Sequence, residues 1–195
     1  LPDTYPRPHI AASVFLSVYT TKTGVYGLAR AFPDGNLAIA YMGAAMALVG
    51  VVYALLQNDM RRLLSYHIQS QVGYMVAGVG VGTALATAGA FAHVFNHILY
   101  KALLFMTAGV VIARTDEQSL KYLGGLGRAL PVTALAFTVA ALSISGFPGF
   151  NGFVSKGMIT AAAHKEHLDG IFYILLAAGV GTFMSFIKFG YYAFL

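Results

Sequence analysis

The chain is a succession of apolar stretches separated by short polar breaks, at roughly 10–30, 37–57, 63–82, 88–113, 130–147, 150–164 and 170–194. The full-length ones meet the ~20 residues that ~30 Å of hydrocarbon demands of a helix. This pattern leaves few folds open. Backbone groups in lipid must pair internally, so only helices and closed barrels can span. The period-two alternation of a barrel strand is absent. The chain therefore reads as an all-α integral membrane protein of about seven transmembrane helices. Composition agrees: 10% of the residues are charged, against ~25% in soluble domains.

Other function classes fall away quickly. There is no cysteine, which removes disulfides and thiolate metal sites. The formal charge of +5 is spread over short loops with no dense basic run, so it signals topology rather than nucleic-acid binding. One side would hold Arg7, Arg61, Arg62, Arg114, Lys121, Arg128 and Lys165, and the other little beyond Arg30. The sequence starts at Leu1 and stops inside an apolar run at 191–195, which reads as an internal fragment of a longer protein.

Two breaks differ from ordinary loops. Thr20-Thr21-Lys22-Thr23-Gly24 lies midway along the first segment, and Ser145-Gly146-Phe147-Pro148-Gly149-Phe150-Asn151-Gly152 precedes a short segment carrying Lys156. Both predict broken helices, near 20–24 and 146–152. Irregular backbone at membrane depth is tolerated where it is buried or lines a watery cavity, and in transporters it points to the site.

Lys22, Lys101 and Lys156 all sit within apolar segments. A charged amine at the bilayer centre costs roughly 2.5–3.5 kcal/mol and marks ion or proton pathways. His93, His97 and Lys101 fall at i, i+4 and i+8, one stripe on a helix, flanked by Asn96 and Tyr100. Histidine and buried lysine can both exchange protons near neutral pH, so the stripe suits a relay. Packing residues or a His-x-x-x-His metal pair are the alternatives, the latter without a third ligand nearby. His67, near the start of its segment, is either a proton-entry group or an interfacial histidine. Lys188 suits snorkelling, and Asp59, Arg61 and Arg62 suit a capped helix start with solvated charges. No carboxylate in the sequence shares the depth of Lys22 or Lys101, so each lysine either pairs with a carboxylate from outside this chain or is neutral at rest.

Together the runs Arg61-Arg62-Leu63-Leu64-Ser65-Tyr66, Ser70-Gln71-Val72-Gly73-Tyr74-Met75, His93 through Lys101-Ala102-Leu103-Leu104-Phe105, and Ser145-Gly146-Phe147-Pro148 through Lys156 resemble the proton-conducting antiporter family. That family includes Mrp cation/proton antiporter subunits and the antiporter-like subunits of respiratory complex I and membrane hydrogenases. The closing run 187–194 looks more like the D-type component of an Mrp antiporter. The resemblance implies the second half of a fourteen-helix core built from two inverted repeats, with 1–195 a partial antiporter transmembrane domain. It matches Lys22 to the central lysine of the first half-channel, Lys101 to the bridging lysine, Lys156 to the terminal lysine, and His93 and His97 to the histidines upstream of Lys101. The glutamate that pairs with the first lysine in the family would lie outside this chain.

The function expected is therefore a subunit of a multisubunit Na⁺ or K⁺/proton antiporter in the cell membrane. Lys22, Lys101, Lys156, His93 and His97 would translocate protons, with no cofactor and with other membrane subunits as partners. A redox-driven proton pump of the complex I or hydrogenase type and a purely structural subunit are the rival expectations.

Overall fold

The computed structural model describes residues 1–195 as helices joined by short turns, with no strand. They are α1 (Ile10–Ala31), α2 (Leu37–Leu56), α3 (Met60–Val81), α4 (Ala84–Thr115), the single-turn α5 (Leu126–Ala129), α6 (Pro131–Ser145), α7 (Asn151–Lys165) and α8 (Asp169–Phe194). Three of them, α2, α4 and α8, are long and apolar enough by themselves to cross a membrane.

Helix α3 is the hub. It carries Arg61, His67, Gln71 and Tyr74, yet nearly its whole length is buried, packed against α1, α2, α4, α7 and α8. Its polar residues can be there because they face other helices and not lipid. The α2–α3 contact explains how the hub is held. Gly43 and Gly73 lie where backbones meet: a Cβ on Gly73 would collide with the Ala47 nitrogen, and one on Gly43 with that of Ala77. Small residues at such an interface let two membrane helices approach closely. Ser70 adds an interhelical bond, donating to the Ala47 carbonyl at 2.8 Å.

The helix ends follow local chemistry. Asn36 and Thr83 cap α2 and α4 through side-chain oxygens. Asp59 caps α3 by accepting from the Arg62 nitrogen at 2.8 Å, as the sequence suggests. Arg61, however, is buried rather than solvated. Its guanidinium donates to the carbonyls of Tyr5 and Pro8 and to Ser13 Oγ, which ties the N-terminal turn to α3. Lys188 reaches the same face, as the sequence suggests, and there donates to the Leu55 and Gln57 carbonyls at 2.9 and 2.8 Å. These are groups the end of α2 leaves without intrahelical partners.

Two expectations about the breaks separate here. The chain is non-helical at 146–150 and resumes as helix at Asn151. Gly146 and Gly149 have φ of 77° and 92°, conformations that suit glycine, and Pro148 cannot continue a helix. The expected break at 20–24 is absent: α1 is continuous through it. Thr23 bonds back to the Tyr19 carbonyl, a bond a helix accommodates. The Lys22 ammonium reaches the Ser17 carbonyl of its own helix, a bond made without interrupting the helix.

Sidedness follows from these contacts. Arg61, the end of α2 and the turn after α4 share one face, where the Met60 nitrogen bonds the Gln118 carbonyl and the Leu120 nitrogen the Asn58 carbonyl. Helices α6 and α7 together make one crossing away from that face. The loop charges predict Lys165 on that same face, but it lies at the opposite end. There α8 begins and Gly170 stands against the Tyr41 ring at the start of α2.

Candidate functional site

The groups singled out in the sequence converge on the inside of the bundle around α3 and α4. His93, His97 and Lys101 are each 0% exposed, so the stripe on α4 faces inward along its length. The His93 and His97 ring centroids are 6.4 Å apart, and Tyr100 packs against His97 at 5.5 Å. Lys22 and Lys156 are each 7% exposed. Lys22, from α1, is close enough to Lys101 and to both histidines for the charges to interact.

The partners of the three lysines differ. Lys22 holds the Ser17 carbonyl. Lys156 donates to the Ile144 carbonyl at 2.7 Å and lies 4.9 Å over the Tyr74 ring. Ile144 belongs to the last turn of α6, whose carbonyls lack continuing helix and carry the negative end of the dipole. The break at 146–150 thus supplies the acceptor that holds Lys156. Lys101 has no protein hydrogen-bond partner for its amine; the Phe105 ring centroid lies 5.8 Å from it. Both nitrogens of His97 and of His67 are likewise buried without partners. Buried polar groups are nearly always hydrogen-bonded to protein or ordered water, so these unpartnered donors and acceptors define a strip that water suits.

His67 does not lie at the membrane interface. It is fully buried, with its ring 4.7 Å from Phe186, close enough to Lys101 and Lys156 to interact with their charges. The reason is that α3 begins at Met60, so His67 is two turns inside the hub.

The structure also brings in residues that the sequence left unassigned. His93 Nδ1 lies 2.9 Å from Ser155 Oγ on α7, and His93 Nε2 lies 3.2 Å from Gln71 Oε1 on α3. Gln71 Nε2 reaches Thr182 Oγ1 on α8 at 3.4 Å. Tyr74 donates to the Leu175 carbonyl. The signal for the α3 residues was legible, since His67, Gln71 and Tyr74 fall at i, i+4 and i+7, one helical face. For Thr182, inside an apolar segment, no sequence signal exists.

Similarity to known proteins fits this geometry. The profile of the family described as NADH:quinone oxidoreductase/Mrp antiporter, TM, matches residues 1–185. The chain belongs to that family. Family members at comparable similarity include the D component of a Na⁺/H⁺ antiporter from Alkalihalophilus pseudofirmus, 38% identical over all of this chain and 41% of that protein. The L component of the F420H2 dehydrogenase of Methanosarcina mazei is 37% identical over 84% of this chain and 27% of that protein. Among solved structures, the Mrp complex from Dietzia superposes with a TM-score of 0.93 at 28% identity, covering 99% of this chain and 38% of the matched one. An archaeal membrane-bound sulfane sulfur reductase gives 0.92 at 32% identity, covering 98% and 35%. The chain spans less than half the length of these relatives. Its family and its apolar helices make it a multi-pass membrane protein.

Proposed function

We propose that this chain forms the second half of the transmembrane domain of a subunit in a multisubunit Na⁺ or K⁺/proton antiporter of the cell membrane. Protons would move along an axis of Lys22, Lys101, His97, His93 and Lys156, with His67 beside it. The observation that carries the reading is Lys101: a fully buried amine without a protein hydrogen-bond partner, with His97 and His93 one and two helical turns before it. A group held this way has no structural bond to lose and gains or releases a proton in response to its neighbours' charge. A potential of 100 mV acts on each charge moved with about 2.3 kcal/mol, enough to bias such a site. Other membrane subunits are the expected partners, and one of them, or a further part of this protein, would supply the carboxylate opposite Lys22.

The test is Lys101→Ala in the assembled complex. Cation-dependent proton movement in vesicles is expected to vanish while insertion persists. Transport at the wild-type rate would reject the axis.

A second reading is supported by the likeness to an F420H2 dehydrogenase component and to a sulfane sulfur reductase complex: the same axis, driven by redox chemistry in a partner arm. Co-purification of redox subunits with this chain would favour it over the antiporter.

A further inference from the structure

We infer that Gln71 and Thr182 fix which nitrogen of His93 carries the proton, so that its lone pair faces Ser155 and the helix bearing Lys156. The functional meaning rests on the axis proposed above, but the content rests on hydrogen-bond direction alone.

The constraint begins on α8. The Thr182 hydroxyl donates its single hydrogen to the Ala178 carbonyl at 2.8 Å, the back-bond a helical threonine makes. Toward Gln71, at 3.4 Å, the hydroxyl oxygen can then only accept, so the amide nitrogen of Gln71 must face it. The amide oxygen is thereby turned to His93 Nε2, 3.2 Å away. An amide oxygen accepts and never donates, so Nε2 carries the hydrogen. A neutral imidazole has one donor and one acceptor. Its acceptor is Nδ1, which takes the Ser155 hydroxyl at 2.9 Å. The Tyr100 hydroxyl lies 3.5 Å from Nε2. It can donate or accept, so it follows this assignment and does not set it. Thr182, Gln71, His93 and Ser155 are all fully buried.

Ser155 is the turning point. Its oxygen also lies 3.4 Å from the Asn151 carbonyl and 3.5 Å from that of Gly152, in the first turn of α7. When His93 gains a proton, both of its nitrogens donate. Ser155 must then accept from Nδ1 and swing its hydrogen to those carbonyls. Occupancy of His93 is thus passed to the residue immediately before Lys156. The titratable groups facing His93 are Lys22 from α1, Tyr74 from α3, His97 and Tyr100 from α4, and Lys156 from α7. None is a carboxylate that would reverse the assignment. Gln71 and Thr182 are therefore positioning residues acting through His93.

The experiment is solid-state nitrogen NMR of the full chain in its lipid-reconstituted complex, labelled at histidine, with His93 assigned by signal loss in His93→Gln. The neutral ring should carry its hydrogen on Nε2. In Thr182→Val, which keeps the shape and removes the hydroxyl, the Gln71 amide is free to turn. The Nδ1–H form should then gain roughly two- to tenfold, the worth of one net hydrogen bond. Thr182→Ser should behave as wild type. An Nδ1–H ring in the wild type would overturn the inference, as would an unchanged ratio in Thr182→Val. Since the readout is the resting tautomer, it stands even if His93→Gln transports normally, a result that would reject the axis instead.

Discussion

Replacing Lys101 with Met separates a working residue from a structural one, because the two roles predict opposite effects on stability. Methionine matches the lysine stem in length and flexibility, so no cavity opens at this fully buried position. Lys101 makes no hydrogen bond to another protein group, so the substitution breaks none within the protein. What it removes is a buried polar group: about 1–3 kcal/mol if the amine rests neutral and unpaired, or about 2.5–3.5 kcal/mol if it rests charged. The variant should be more stable by that amount. The melting midpoint should rise accordingly. Transport should meanwhile fall to background. The assay pairs a thermal melt of the purified complex with sodium- or potassium-pulse proton flux in vesicles, measured by a pH-sensitive dye. A lowered midpoint would show that Lys101 has a structural partner and refute the stability argument. Flux at the wild-type rate would refute the axis.

Arginine stays charged at any accessible pH, so Lys22→Arg should abolish turnover across the whole pH range. Normal transport by that variant would mean that deprotonation at residue 22 is no part of the cycle. Gly73→Leu places atoms where the Ala47 backbone already stands. It should separate α2 from α3 at an overpacking cost of about 1–3 kcal/mol or more, and reduce the folded fraction by size-exclusion chromatography; a wild-type elution profile would refute the close approach. Lys188→Met removes both bonds to the end of α2. It should cost about 1–3 kcal/mol of stability, read as a lowered melting midpoint, while leaving proton flux intact, and unchanged melting would show that these bonds add no stability. Arg61→Ala should expose the N-terminal turn that Arg61 ties down. Faster proteolytic cleavage before residue 10 is the readout, and wild-type resistance would refute the tie.

The sequence alone determined the class of fold, because lipid leaves a chain with this spacing of apolar segments no alternative to helices. It also determined the single stripe on α4, since 3.6-residue periodicity places His93, His97 and Lys101 on one face whatever that face meets. The break after Ser145 was equally legible, written in glycine and proline. What one helix meets on another was not. Nothing local says that Arg61 closes on Tyr5 and Pro8, that Lys188 holds the end of α2, or that Lys156 takes the carbonyl freed at Ile144. The sidedness of Lys165 depended on α6 and α7 sharing one crossing. The pairing of Gln71 with Thr182, 111 residues apart, exists only once α3 is surrounded. Periodicity is a property of one segment. Hydrogen-bond direction and burial inside a bundle are properties of several segments at once, and only tertiary packing fixes them.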